Sequence, residues 1–204
     1  MIAYIQINSE GTPEFNPLKS LNEIIFISFN KDITAENLIE VEVDGDSGIL
    51  GGYYIDGVLY KNTIELESLK TNSKQLIEKH YDSSDYNIVR TKINDTDFQY
   101  HNNRAFRALI QEQVNFMQNT VTYDETIDIN TLVFQYQYNG SNFIPLNYKT
   151  LAKYQYKFLD ITNKLFAFKS SLLLEVKNAY EATILDKRDF VQEMEDYKNT
   201  INFV

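Results

Sequence analysis

Several segments in the first hundred residues alternate hydrophobic and polar side chains, a period of two that is typical of strands. In Leu38–Val43 the apolar residues alternate with Glu40 and Glu42, so this run predicts a strand with one solvated face. Ile49–Ile55 and Val58–Tyr60 are separated by an Asp-Gly pair, which favours a two-residue hairpin because glycine adopts positive φ without strain. The pattern predicts a small antiparallel β module, followed by a short amphipathic helix.

The last hundred residues change to a helical period. After a short aromatic strand at Asp97–Tyr100, Asn102 or Asn103 can cap a helix, because an asparagine side chain accepts a hydrogen bond from the first turn. Leu132–Tyr138 and Phe143–Leu146 flank an Asn-Gly-Ser-Asn turn and predict a β-hairpin. We therefore predict an α+β fold, with an N-terminal small antiparallel β module and a C-terminal β-hairpin plus long amphipathic helix and helical tail.

The long helix is the most periodic part of the chain. Asn147 caps it, and the pattern predicts that it reaches about Ile184. Its apolar residues form one set that recurs every seven residues and a second set three residues later, which are Leu151, Phe158, Leu165, Leu172 and Ala179, and Tyr154, Ile161 and Phe168. Further apolar residues make the stripe wider than a simple dimeric seam: Leu159, Phe166, Leu173 and Val176.

This apolar stripe has two interpretations. It can pack on the chain's own hairpin and preceding helix, which would make it core. Alternatively, part of it is an oligomer seam or a docking surface for a helix of another protein. On the second interpretation the partner-binding residues are Leu151, Tyr154, Phe158, Ile161, Leu165, Phe168 and Leu172.

The acidic charge lies mainly in the first half of the chain. The 204 residues carry a formal net charge of -10; residues 1–100 hold 8 Lys and Arg against 17 Asp and Glu, whereas residues 101–204 hold 11 against 12. The change of charge and period predicts an acidic antiparallel β module with a short helix at residues 1–90, and a helix, β-hairpin and long-helix module at residues 91–204. A basic row on the long helix is either solvated or meets an acidic surface: Lys149, Lys153, Lys157 and Lys164.

The composition argues against several classes of function. Because the chain has no cysteine, it has no disulfide scaffold, thiolate metal site or cysteine nucleophile. Its negative charge disfavours nucleic-acid binding, and no apolar run approaches the roughly 20 residues of a membrane span. Asp44-Gly-Asp46 has the spacing that begins a calcium loop but lacks the later ligands, and His80 and His101 lie in no nucleophile motif. We expect a soluble protein without metal, cofactor or catalytic residues.

Five segments of the second half occur in the order of a known domain. They are Phe98–Tyr100, Arg104–Arg107, Phe134–Gly140, Pro145–Asn147 and Glu175–Tyr180. In this order they resemble the small C-terminal domain of unknown function found in bacteriophage tail-fibre and tail-fibre-assembly proteins, over residues from about 97 to 180. The resemblance lies in the types of residue, and that domain has no assigned catalytic residues.

The resemblance implies a non-enzymatic bacteriophage tail structural protein, an adaptor or attachment subunit that binds a tail fibre or a neighbouring tail protein. The alternative is a tail-fibre assembly chaperone that is absent from the mature particle. Either protein is made in the host cytoplasm, and the structural subunit is then found in the tail of the virion. The partners are other phage tail or fibre proteins, and the stripe also favours a homo-oligomer. A third hypothesis is an enzyme or inhibitor with a site assembled from scattered residues.

Overall fold

The computed structural model of the chain describes the residues in the ranges 1–31, 33–83, 85–93, 96–138 and 142–201. Within these ranges it contains nine β-strands, five α-helices and one short 3-10 helix. The named strand pairs are antiparallel. The predicted α+β class is confirmed, with several small antiparallel sheets and with most of the helices in the second half.

The strands are short, whereas the helices vary widely in length. The strands are β1 (Ile2–Ile7), β2 (Ile24–Ser28), β3 (Ile39–Glu42), β4 (Tyr53–Ile55), β5 (Val58–Tyr60), β6 (Ile88–Ile93), β7 (Thr96–His101), β8 (Val133–Tyr138) and β9 (Asn142–Asn147). The helices are α1 (Ile64–Tyr81), α2 (Arg104–Tyr123), α3 (Tyr148–Asn178), α4 (Ala182–Asp186) and α5 (Phe190–Thr200), and the 3-10 helix is Ile129–Thr131.

The largest sheet has three strands in the order β2-β1-β3. In β1, Ala3 and Ile5 are fully buried, because alternate side chains of a strand point to the same face. In β3, Val41 is buried between the exposed Glu40 and Glu42, so the strand with one solvated face is confirmed.

A separate hairpin joins β4 and β5. Its turn residues Asp56 and Gly57 have φ angles of 50° and 84°, and Ile55 pairs with Val58 across the turn. Positive φ at both central residues is the geometry that matches the twist of a two-residue hairpin. The predicted hairpin is confirmed.

Three elements differ from their prediction. The strand predicted at Ile49–Ile55 is shorter, since β4 covers only Tyr53–Ile55. Strand β6 was not predicted; it pairs with β7 from Ile88 opposite His101 to Ile93 opposite Thr96. Its sequence mixes Ile and Val with Arg, Thr and Lys, so the hydrophobic alternation is weak. The long helix ends at Asn178 rather than near Ile184, and the residues beyond it form the separate helix α4. The turn predicted between β8 and β9 lies outside the described residues.

The chain divides into two compact units, each made of two stretches of sequence. Unit 1 comprises Met1–Glu78 and Ser170–Gln192, and unit 2 comprises Lys79–Lys169 and Glu193–Val204. These bounds differ from the predicted modules at residues 1–90 and 91–204, since both units take residues from the end of the chain. In unit 1, for example, the hydroxyl groups of Ser20 and Tyr53 donate hydrogen bonds to the carbonyl oxygen of Lys177, at 3.3 and 3.1 Å.

Each unit has a hydrophobic cluster of its own. In unit 1 the cluster lies on the three-stranded sheet and consists of Ala3, Ile5, Ile24, Val41, Val43 and Ile49. In unit 2 it joins α2, β9 and the first half of α3 and consists of Ile110, Val114, Met117, Leu146, Leu151, Tyr154 and Phe158. The second cluster determines which face of α3 is covered.

Candidate functional site

The candidate site lies on α3, the longest helix, which runs for 31 residues. Asn147 caps it as predicted, since its side-chain oxygen accepts a hydrogen bond from the backbone N–H of Thr150 at 2.9 Å. Within unit 2, Asn102 fixes the helix from the side, because its amide nitrogen donates to the Thr162 hydroxyl at 3.1 Å. The Asn102 carbonyl in turn accepts from Arg107 of α2 at 2.7 Å.

The residues predicted to bind a partner are core residues. Six of them are at most 9% exposed, namely Leu151, Tyr154, Phe158, Ile161, Leu165 and Leu172. The seventh, Phe168, is half-buried and stacks on Tyr197 with ring centroids 4.1 Å apart. Side chains covered by their own chain offer no surface to another protein, so the docking surface cannot consist of these residues in this structure.

Aromatic packing in unit 2 explains this burial. Phe158 of α3 lies against Phe106 of α2, with ring centroids 5.4 Å apart, and stacks on Tyr154 at 5.7 Å. Phe106 also makes an edge contact with Tyr136 of β8 at 5.4 Å. At Leu151, Tyr154 and Phe158 the helix is therefore covered by its own hairpin and its preceding helix, which agrees with the first of the two interpretations of the stripe.

A different row of large apolar side chains on α3 is exposed. Within unit 2 this row consists of Tyr156, Leu159 and Phe166, which are 74%, 57% and 58% exposed. Leu159 and Phe166 are seven residues apart, and the half-buried Ala152 stands seven residues before Leu159. We call Tyr156, Leu159 and Phe166 the apolar row. Its spacing is the one at which a second helix can pack along α3.

The lysine row occupies a third face of the same helix. An α-helix turns by about 100° per residue. With this rotation, three faces lie roughly 120° apart around the axis of α3: the core side, the apolar row, and the lysine row of Lys149, Lys153, Lys157 and Lys164. Burial lowers the pKa of Lys157, and the neighbouring charge of Lys153 lowers it further. Lys164 differs because its hydrogen bond to Asp160, at 2.7 Å, raises its pKa. Lys153 and Lys157 thus sit in a local positive field beside the apolar row.

Sequence reasoning found part of the apolar row and assigned it differently. The seven-residue pattern places Leu159 and Phe166 outside the main seam, and it does not include Tyr156. The signal that could have separated them is that Ala152, Leu159, Phe166 and Leu173 form their own seven-residue repeat. Periodicity alone does not tell which of two parallel repeats faces the core.

Two of the other candidate residues in the sequence contact charged side chains of their own unit. Asp44, at the start of the apparent calcium loop, forms a 2.5 Å ion pair with Lys61, and this interaction lowers the pKa of the carboxyl group. His80 Nε2 lies 2.9 Å from Glu195 Oε1; the side chain of His101 lies outside the described residues. Among the residues that the structure describes, no group of three or more His, Cys, Asp or Glu is arranged to hold a metal ion. In the same part of the chain, each helix is too short or too polar to cross a bilayer.

Comparison with protein-family models finds no match to this chain, and comparisons with curated proteins and with solved structures find none either. The function is therefore inferred from the surface of the protein and from the resemblance in its sequence.

Proposed function

We propose that the protein is a non-enzymatic structural component of a bacteriophage tail, an adaptor or attachment subunit that binds a tail fibre or a neighbouring tail protein through α3. The proposed place in a phage tail is supported by the resemblance of residues from about 97 to 180 to the phage tail domain. The apolar row supports the binding role and is the observation that carries it. Large apolar side chains grouped on one helix face favour a partner that removes them from water.

The neighbouring lysine row indicates the chemistry of the partner. A helix of another tail protein, with its own apolar seam bordered by Asp or Glu on one side, would cover Leu159 and Phe166 and meet Lys153 and Lys157. A second copy of α3 is less suitable in the antiparallel orientation, because matching flanks would bring the two lysine rows together. The proposed partner is therefore an acidic amphipathic helix, and self-association would use another surface or a parallel arrangement.

The second candidate is an assembly chaperone, which would bind a fibre through the same row and then leave. The large exposed fraction of Tyr156 suits both roles, because a partner can cover the row permanently or transiently. The two roles differ in whether the protein stays in the finished particle. A structural subunit would be found in the virion, whereas a chaperone would remain in the host cell.

Mass spectrometry of purified particles tests the proposal. For a structural subunit we expect peptides of this protein in amounts comparable to those of the other tail proteins, and in a constant ratio to them through successive purification steps. The infected-cell lysate is the matched control, since it shows whether the protein was made at all. Abundant protein in the lysate together with none in the particles would overturn the structural role and support the chaperone.

A further inference from the structure

Unit 1 contains an open cavity of about 380 Å³ that the proposed docking function does not use. It is bounded by the end of β5, the first turn of α1 and the segment that precedes and begins α4. The residues that line it include two tyrosines and two glutamates, which are Tyr60, Tyr180, Glu65 and Glu181. This volume falls within the range of small-ligand pockets and suits a small group rather than a whole cofactor.

The two rings are held in place by the fold of unit 1. Tyr60 and Tyr180 meet edge to face, with centroids 4.7 Å apart and an interplanar angle of 61°. Tyr180 also lies 6.4 Å from the ring of Tyr53, whose hydroxyl group donates to the carbonyl oxygen of Lys177 at 3.1 Å. The hydrogen bond connects this aromatic cluster to the end of α3, so the rings are positioned before any ligand arrives.

The aromatic cluster already accepts one cation from within the chain. The Lys70 ammonium group lies 5.2 Å from the centroid of the Tyr53 ring, within the distance at which the negative face of an aromatic ring attracts a positive charge. Tyr60 and Tyr180 present the same chemistry at the wall of the cavity.

The charges around the cavity have one prevailing sign. Burial raises the pKa of the Tyr60 hydroxyl, and the negative charges of Glu181 and Asp56 raise it further. Lys61, which also lines the cavity, forms its 2.5 Å ion pair with Asp44. The carboxylate of Glu181 is oriented by the Thr183 hydroxyl, which donates a hydrogen bond to it at 3.1 Å. A cation would gain from the rings and the carboxylates, and the positive N-terminal end of α1 reduces this gain without reversing it.

We propose that the cavity formed by Tyr60, Tyr180, Glu65 and Glu181 binds an alkylammonium group, such as a methylated or unmodified lysine side chain or a quaternary ammonium ligand. The tyrosine rings contact the alkyl groups around the nitrogen, and Glu65 and Glu181 supply the countercharge. Because the cavity is open to water, we expect a dissociation constant of about 1 mM.

Choline and its uncharged isostere 3,3-dimethylbutan-1-ol provide a matched pair of probes. Proton NMR of the full chain with choline should show an upfield shift of the trimethyl signal that saturates with protein concentration, because the methyl groups enter the ring currents of the tyrosines. The isostere has the same shape without the charge, and we expect it to bind at least about fivefold more weakly. Equal binding of the two compounds would overturn the proposal, since the cavity would then select shape alone.

Two glutamate variants separate a local site from the general negative charge of the protein. Glu181→Gln should weaken choline binding by about fivefold, whereas Glu40→Gln, which removes the same charge from the exposed face of β3, should leave it unchanged. Tyr180→Phe should bind choline as the wild type does, because it keeps the ring. Equal losses in the two glutamate variants, or no loss in Glu181→Gln, would contradict a site at the cavity. Circular dichroism of each variant confirms that it is folded.

Discussion

At the scale of single residues, buried polar side chains hold the loop between β1 and β2. Asn8 is fully buried; its amide nitrogen donates to the carbonyl oxygen of Ser20 at 3.1 Å, and its side-chain oxygen accepts from the backbone N–H of Asn16 at 2.6 Å. Glu23 accepts hydrogen bonds from the Ser20 N–H and from Lys19, both at 2.8 Å. A buried polar group without partners would destabilise the fold, so these bonds are required for the loop to pack.

A glycine provides the most specific prediction at this scale. Gly48 has a φ of +74°, and a Cβ atom at this position would clash with the backbone carbonyl of Asn62. The clash cannot relax easily, because the Asn62 N–H donates a 2.7 Å hydrogen bond to the Gly48 carbonyl. We expect Gly48→Ala to lower the free energy of unfolding by about 3 kcal/mol, from the left-handed backbone and the overpacking together.

Gly45→Ala is the matched control for this substitution. Nothing lies within 4 Å of a Cβ atom at Gly45, and its φ is not in the left-handed region. Alanine there should change the free energy of unfolding by less than about 1 kcal/mol. Urea denaturation followed by circular dichroism measures both variants, and equal midpoints would show that the turn at Gly48 rearranges freely.

At the scale of elements, α3 shows what hydrophobic periodicity can and cannot predict. The seven-residue repeat and the Asn147 cap predicted the existence and the start of the helix. The same repeat could not distinguish core from interface, since both require apolar residues at the same spacing. The end of the helix was also missed, because apolar residues continue beyond Asn178. Whether Phe158 faces water depends on where α2 and the hairpin pack, and a local pattern holds no information on that packing.

The two faces of α3 lead to opposite effects of the same substitution. Leu165 is 3% exposed and Leu159 is 57% exposed, and both lie in unit 2. Leu165→Glu should destabilise the protein by more than about 3 kcal/mol, because it buries an unpaired carboxylate in place of a packed side chain. Leu159→Glu should change stability by less than about 0.5 kcal/mol but should prevent incorporation into tail particles, because it places a charge in the proposed interface.

Stability is measured by thermal melting, and incorporation by quantifying the variant in purified particles. Tyr123→Glu serves as a control, since it adds the same charge at a side chain of α2 that is 91% exposed and lies outside both the apolar row and the lysine row. Normal incorporation of a folded Leu159→Glu variant would exclude the apolar row as the docking surface. Incorporation of a folded Leu165→Glu variant at wild-type stability would show that the buried seam is not core.

At the scale of the whole molecule, the units are not consecutive in sequence. The change of charge and period predicted two modules divided near residue 90, whereas the first stretch of unit 1 ends at Glu78 and its second stretch begins at Ser170. Contacts such as those of Tyr180 with Tyr53 and Tyr60 bring residues more than a hundred positions apart together in unit 1. A pattern read along the chain contains no signal for such pairings, and the cavity lined by Tyr60 and Tyr180 was therefore missed.

The ionisation of buried tyrosines makes the stability of both units depend on alkaline pH. Fifteen residues of the chain are tyrosines. Burial is the first cause that raises the hydroxyl pKa in four of them, namely Tyr60, Tyr81, Tyr86 and Tyr136. Tyr86 is fully buried, its hydroxyl donates to the Met194 carbonyl at 3.4 Å, and the negative charge of Glu195 raises its pKa further. The folded protein therefore favours the neutral phenol.

Tyr86 should consequently make folding sensitive to alkaline pH. In the unfolded chain tyrosine ionises near pH 10, so the stability that depends on the raised pKa is fully present below about pH 10 and is lost as the pH rises above it. Between the unfolded and the folded pKa, the Tyr86 phenol adds about 1.4 kcal/mol per pH unit to the loss of stability. Urea denaturation between about pH 9 and pH 12 should give a shallower loss for Tyr86→Phe than for the wild type. Tyr123→Phe, at a side chain that is 91% exposed, controls for the removal of one phenol. Identical slopes for the wild type and Tyr86→Phe would show that the Tyr86 hydroxyl reaches water before the protein unfolds.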